Sequence, residues 1–147
     1  LETYWDVGVM LIGKGLSLPL VKMIANRAHH YGMRVRVSEE STSDPLRPQE
    51  LALIVSGSAD DFYSSIVKKC KELLKVNVGE LEIRPAIVAA VGRDANWLKE
   101  CDAYLLLDGE SQSEYQMLDK KSPPSPFYPG ASIILNMLLR MVAERRG

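Results

Sequence analysis

Two stretches of this chain share one construction: an apolar run, a turn of glycine and serine residues, and then a helical pattern. Residues 7–12 and 51–55 are almost wholly apolar, which is typical of strands buried on both faces of a parallel sheet. The first run leads into a turn at residues 13–17, and the second leads into a turn at residues 56–58. Such turns direct backbone N–H groups and the positive end of a helix dipole toward one point. The two stretches therefore predict an α/β fold with an anion site.

The rest of the chain continues the alternation of strands and helices. Residues 122–130 contain four prolines and a glycine, so no regular structure is expected there. The pattern predicts one domain, residues 1–147, built as a three-layer, doubly wound parallel sheet. In the second helix, Phe62 is expected to face inward. The predicted helices are residues 17–31, 59–75, 95–100 and 131–145, and the further predicted strands are residues 33–37, 86–91 and 104–107.

Charge and length exclude several classes of partner. The chain has 147 residues and a formal net charge of −1, with both signs mixed along it, so no nucleic-acid partner is predicted. No apolar run approaches the roughly 20 residues of a membrane span, so no membrane partner is predicted either. Cys70 and Cys101 lack a metal-type spacing and are interpreted as small buried apolar residues of a cytoplasmic protein.

No cofactor or metal is predicted. Gly13 and Gly15 begin a dinucleotide-type spacing, but Leu18 stands where the third glycine belongs. His29 and His30 are adjacent, so on a helix they point about 100° apart, and no third ligand lies near them in the sequence.

A series of short motifs in a fixed order resembles a known family. The motifs are GKGLS at residues 13–17, RAHHYG at 27–32, ESTS at 40–43, IVSGS at 54–58, AIVAAV at 86–91, LKECD at 98–102 and YPG at 128–130. Together they resemble the sugar isomerase (SIS) domain, and most closely its 6-phospho-3-hexuloisomerases. The likeness covers residues 7–144. It implies a flavodoxin-like SIS fold, a sugar-phosphate ligand, and a homodimer or homotetramer.

The resemblance also implies a phosphate site. Ser17, Ser56 and Ser58 correspond to serines that hold the phosphate in the family. Lys14 contacts a phosphate as a point charge or is simply solvated, and Arg93 follows a third strand at the same predicted sheet edge. The candidate phosphosugar-binding residues are Gly13, Lys14, Gly15, Ser17, Ser56, Gly57, Ser58, Ala59 and Asp61.

The second turn departs from the family pattern, because Ala59 replaces a glycine and Asp61 replaces a threonine. Two unit charges about 4 Å apart repel by ~1 kcal/mol in water and by ~4 kcal/mol at a surface-like dielectric. A helix N-terminus offers an anion only ~0.3–1 kcal/mol, or ~2 kcal/mol when partly buried. Ser58 and Asp61 also fit a capping box, with Ser58 as N-cap and Asp61 at the third helical position. The carboxylate of the chain itself is therefore expected to fill part of the anion site.

Catalysis is the second point of departure. The family isomerases use a glutamate near the start of the last helix as base, together with a histidine. Here that position is Ile134 or a neighbour, and residues 120–143 contain no acidic residue. Because isomerisation needs a general base, Glu40 and His30, the latter from a partner subunit, are the candidate catalytic residues. The simpler interpretations are a solvated loop glutamate and a histidine at the negative end of a helix dipole.

Three functions follow from these observations. The first is a phosphosugar-binding domain without isomerase activity, and the second is an active aldose–ketose isomerase with a relocated base. The third is a non-catalytic subunit that dimerises through its last helix, with Met137 and Met141 in the core or in the interface. The third hypothesis predicts an apolar stripe too wide for one protomer. Family members usually begin with one or two helices that pack across subunits, whereas six residues precede Val7 here.

Overall fold

A computed structural model describes residues 2–38, 50–77, 86–107 and 127–146. Short 3₁₀ helices precede the first strand, at Glu2–Tyr4, and the last strand, at Asn96–Glu100. The helices are α1 Ser17–His30, α2 Phe62–Asn77 and α3 Phe127–Arg146. The strands are β1 Val9–Ile12, β2 Val35–Ser38, β3 Leu51–Ser56, β4 Ala86–Val91 and β5 Ala103–Leu106.

These five strands form one parallel sheet in the order β2-β1-β3-β4-β5. The chain passes from β1 to β2 on one side through α1, and then returns to place β3 on the other side of β1. In sheets of this kind the ligand crevice lies at the carboxyl ends of the two strands where the winding reverses. Here those strands are β1 and β3. The predicted doubly wound parallel sheet is confirmed.

Apolar side chains cover both faces of the sheet. Because strand side chains alternate, Val9 and Leu11 pack with α1 and α3 on one face, and Met10 and Ile12 pack with α2 on the other. Trp97, from the 3₁₀ helix Asn96–Glu100, joins the α2 face. The helices on the two faces complete the predicted three layers.

The last helix begins earlier than the sequence predicts. Residues 127–130, expected to be irregular, form the first turn of α3 and include Pro129 and Gly130. A proline is tolerated there because the first N–H groups of a helix have no partner within it. Phe127 is fully buried and anchors the helix start. No helix in the described ranges is both long and apolar enough to cross a bilayer.

An ion pair is enclosed at the amino edge of the sheet. Arg36 Nε and Nη2 donate to Glu50 Oε2 and Oε1 at 2.9 and 2.6 Å, and Glu50 is 4% exposed. A Cβ on Gly8 would lie 3.3 Å from Glu50 Oε2, and Gly8 has a φ of +140°. The pair thus reaches across the start of β1, and only glycine fits beneath it.

Candidate functional site

The two predicted turns lie together at the carboxyl edge of the sheet. β1 and β3 are neighbours with Ile12 opposite Ile54, so the turns that follow them flank one crevice. α1 and α2 then leave on opposite faces of the sheet. The structure therefore brings residues 13–17 and 56–61 to the topological switch point.

Backbone donors in the first turn are already used. The Ser17 N–H donates to the Lys14 carbonyl at 3.0 Å, and the Leu18 N–H donates to the Gly15 carbonyl at 3.2 Å. Pro19 has no N–H to offer. The N-terminus of α1 therefore contributes little hydrogen bonding to an anion beyond its dipole.

Two glycines allow this tight turn. Gly15 has a φ of +57°, in the left-handed region that favours glycine. A Cβ on Gly13 would lie 3.0 Å from the Ser17 carbonyl oxygen and 3.1 Å from Val21 Cγ1. Gly13 thus lets the end of β1 pack directly on the first turn of α1, which encloses Ser17.

In the second turn, Ser56 acts inside the protein. Its Oγ accepts a hydrogen bond from the Ala59 N–H at 3.0 Å, and its hydroxyl is also hydrogen-bonded to the phenol of Tyr63. Ser56 is 2% exposed. The hydroxyl expected to bind phosphate therefore shapes the turn instead.

Ala59 holds an unusual conformation. Its φ is +51°, which costs an L-residue roughly 1–2 kcal/mol. The Trp97 Nε1 donates to the Ala59 carbonyl at 3.2 Å and fixes the turn from the α2 face. A left-handed position of this kind explains why a glycine is expected there.

The predicted capping box is wrong. α2 begins at Phe62, so Asp61 occupies the N-cap position and Ser58 lies three residues before it. The left-handed Ala59 turns the chain between Ser58 and the helix and so prevents the box. Asp60 and Asp61 are both exposed, and their carbonyls accept the first N–H groups of α2 at 3.1 and 3.0 Å.

Three backbone donors in the second turn are unoccupied. Among the described residues, the N–H groups of Gly57, Ser58 and Asp60 donate to no other group. Ser58 is only partly buried. These N–H groups and the Ser58 hydroxyl are the donors that this turn can present to an anion.

Tyr63 connects the two turns and was not predicted from the sequence. It is 1% exposed, and its phenol is hydrogen-bonded to the Ser56 hydroxyl and to the Lys14 backbone. Burial raises the pKa of Tyr63 to about 12. The prediction that Phe62 faces inward is wrong, because Phe62 is 42% exposed. The spacing of Tyr63, Val67 and Cys70 would have identified the buried face, since these residues lie one and two turns apart.

Two cations flank the second turn. The Lys14 Nζ lies 4.6 Å from the centre of the Phe62 ring, so this side chain spans from the first turn to the start of α2. Arg93 follows β4, where the Gly92 N–H donates to the Ser56 carbonyl at 3.2 Å. Arg93 is exposed and forms no ion pair within the described part of the chain. The crevice edge therefore carries two positive charges beside the two aspartates.

The candidate catalytic residues are not assembled here. His30 is exposed at the last residue of α1, roughly 20 Å along the helix from the turns. Glu40 lies outside the described residues. Ile134 is apolar and partly buried, and the only carboxylate of α3 is Glu144, in its last turn. Among described residues, no group of three or more potential ligands is placed to hold a metal ion.

Three buried acids predict a loss of stability at alkaline pH. Burial raises the pKa of Tyr63 from 10.0 to about 12, and those of Cys70 and Cys101 from 9.0 to about 11. Since each folded-state pKa exceeds the unfolded value, this stability is present below about pH 9 and is lost as pH rises toward 12. We expect the urea midpoint to fall between pH 9 and 11. At about 1.4 kcal/mol per pKa unit, Tyr63 contributes about 2 kcal/mol in total.

The matched controls are two tyrosine substitutions. Tyr63→Phe should flatten the alkaline part of the profile, whereas Tyr104→Phe, at a 52% exposed position, should leave it unchanged. Identical profiles for both variants would contradict the role assigned to Tyr63.

Neither protein-family models nor curated proteins match this chain. Solved structures do match it. A Methanococcus jannaschii protein, for which a function of 3-hexulose-6-phosphate isomerase was inferred, is 19% identical with a TM-score of 0.69. The match covers 98% of this chain and 73% of that protein.

Two further neighbours were solved with sugar phosphates. The Vibrio vulnificus NanR protein, complexed with ManNAc-6P, is 13% identical with a TM-score of 0.67, over 98% of this chain and 51% of NanR. The E. coli CFT073 protein c3406, in complex with arabinose 5-phosphate, is 13% identical with a TM-score of 0.66, over 97% of this chain and 72% of c3406. At these identities the likeness shows a shared fold.

Proposed function

We propose that this chain is a sugar-phosphate-binding domain of the SIS type, with its ligand in the crevice between β1 and β3. The observation that carries the proposal is the second turn, which has three unoccupied backbone N–H groups and lies between Lys14 and Arg93. Two neighbours of the same fold were solved with ManNAc-6P and arabinose 5-phosphate, which supports the ligand class.

Each part of the turn has a distinct task. The N–H groups of Gly57, Ser58 and Asp60 donate to phosphate oxygens, as backbone groups in such turns do. Lys14 adds a point charge, and Arg93 adds a planar fork of donors. Ser56 and Tyr63 do not touch the ligand but hold the turn in shape.

The aspartates make this a weak site. The two cations and the two carboxylates at the crevice edge sum to zero, so the local field does not attract a dianion. Binding then rests on the backbone hydrogen bonds. We expect a dissociation constant on the order of 1 mM, which corresponds to roughly 4 kcal/mol of binding free energy.

We further propose that binding is not accompanied by isomerisation in one protomer. Moving a proton between two carbons needs a base near the sugar. The start of α3 supplies none, and His30 lies at the other end of α1. An active isomerase would therefore need Glu40 or a group from a partner subunit.

A thermal-shift titration tests the binding proposal. Ten millimolar sugar phosphate, at ten times the expected dissociation constant, should stabilise the folded state by about 1.4 kcal/mol. For a chain of this size that raises the Tm by about 3–6 °C. Fructose 6-phosphate and arabinose 5-phosphate are suitable probes, with unphosphorylated fructose as the negative control. A Tm that no sugar phosphate raises would refute the proposal.

Variants and an assay complete the test. Arg93→Gln should remove most of the shift, whereas Lys99→Gln, an exposed cation on the 3₁₀ helix Asn96–Glu100, should not. Incubation with hexulose 6-phosphate should give no product above buffer. Turnover that Glu40→Gln abolishes would establish the active isomerase instead.

A further inference from the structure

The outer side of α3 carries an apolar surface that the protomer does not cover. Ile133, Met137, Leu138 and Met141 are 61, 57, 41 and 56% exposed, and we call these four residues the α3 stripe. Spacings of three and four residues place them on one side of the helix. They are therefore not core residues of this protomer, and of the two roles predicted for Met137 and Met141 only the interface is compatible with these exposures.

The composition of α3 also differs from that of a solvated helix. Its first charged residue is Arg140, so residues 127–139 contain no charge. Surface helices normally present charged residues to solvent. Depletion of charge together with exposed methionine and aliphatic side chains is characteristic of interface cores.

A cavity continues this surface inward. Its volume is about 210 Å³, and it lies between α1, α3 and the sheet, with Leu53 and Val88 among its lining residues. Leu138 belongs both to the α3 stripe and to the cavity lining. On β5, Leu105 is 40% exposed and pairs in register with Ala90, so it extends the apolar face. Protruding side chains and an apolar hollow thus lie side by side.

We propose that this face binds the same face of a second copy of the chain, with the two α3 helices antiparallel and crossing near Met137. A two-fold interface needs a patch that complements itself. This face supplies both halves, because flexible methionines can enter the hollow beside the opposing α3 stripe. The proposal is independent of the ligand.

The exposed area fits such a pairing. A free side chain of this size exposes roughly 200 Å², so the α3 stripe leaves on the order of 450 Å² of apolar surface. That exceeds what single scattered hydrophobic residues leave exposed, and is over half of the roughly 800 Å² that each partner of a standard interface buries. The hollow and the rim around it supply the remainder.

The charges near the α3 stripe allow the same arrangement. The Arg140 Nε donates to Glu144 Oε1 at 3.0 Å, and this pair lies at one end of the stripe. Antiparallel crossing at Met137 places the two pairs at opposite ends of the interface. No like charges then face each other.

Sedimentation equilibrium of the full chain tests the pairing. The wild type should have twice the mass of one chain at micromolar concentration. Met137→Glu should raise the dimer dissociation constant at least about 30-fold, the loss typical of a central interface residue. Met23→Glu, at a 48% exposed methionine on α1, should leave it unchanged. A monomeric wild type, or equal effects of the two variants, would overturn the proposal.

A cross-link provides a second readout. Two copies of residue 137 beside a two-fold axis fall within the Cα separation of about 7 Å that a disulfide requires. Met137→Cys should therefore give a reducible covalent dimer under mild oxidant, and Met23→Cys should stay single. Absence of the Met137→Cys dimer would exclude the antiparallel crossing.

Discussion

Glu50→Gln is expected to lower the free energy of unfolding by about 3 kcal/mol. The Glu50 side chain is 5% exposed and that of Arg36 is 19% exposed, so the substitution leaves an enclosed guanidinium without its carboxylate. Arginine cannot release its proton to escape this cost. Breaking a buried pair typically costs about 3–5 kcal/mol, and the partial exposure of Arg36 favours the lower end.

Urea unfolding and calorimetry measure this change. The Tm should fall by about 6–12 °C for a chain of this size. Glu144→Gln is the matched control, because its pair with Arg140 has side chains 64 and 74% exposed and should contribute less than about 0.5 kcal/mol. Removing both enclosed charges, in Arg36→Met with Glu50→Leu, should recover most of the loss. Equal effects of Glu50→Gln and Glu144→Gln would contradict this account of the pair.

The second large effect concerns affinity and rests on the proposed function. Replacing Asp60 and Asp61 together by asparagine should tighten binding of a sugar phosphate by about 10–30-fold. Both carboxylates are exposed beside the turn, and each repels a nearby phosphate charge by ~1 kcal/mol at a water-like dielectric. Each ~1.4 kcal/mol of relieved repulsion is a factor of about ten in affinity.

Calorimetric titration with fructose 6-phosphate and with inorganic phosphate measures the gain. Since exposed charges are screened by salt, the difference between variant and wild type should shrink as salt rises from 0.05 to 0.5 M, both concentrations being on the order of those where screening changes. Asp6→Asn removes one carboxylate at the opposite edge of the sheet and should leave affinity unchanged. Unaltered or weaker binding by the double variant would show that the aspartates do not oppose the ligand.

The sequence predicted the elements well where one short segment contains the whole signal. The predicted strand at residues 86–91 is β4 residue for residue, because an uninterrupted apolar run already specifies a doubly buried strand. α3 is the exception. Its first turn tolerates Pro129, and the burial of Phe127 extends the helix toward residues whose composition favours irregular structure.

The candidate site was predicted in place but not in detail. Both turns lie at the crevice, since parallel strands end at one edge. The roles within the second turn depend on partners distant in sequence. Trp97 holds Ala59, and the phenol of Tyr63 links Ser56 to the Lys14 backbone. No pattern within one segment contains these contacts.

By itself, then, the sequence determined the alternation of buried strands and amphipathic helices, and therefore the parallel sheet and the edge at which its turns meet. Side-chain periodicity is a local property, and burial acts on it directly. Only the tertiary structure decided that Ser56 is enclosed and Asp61 precedes α2, that Arg36 meets Glu50, and that the α3 stripe faces outward. Each of these outcomes depends on which distant segments come into contact, and on whether a polar group finds its partner inside the fold or in water.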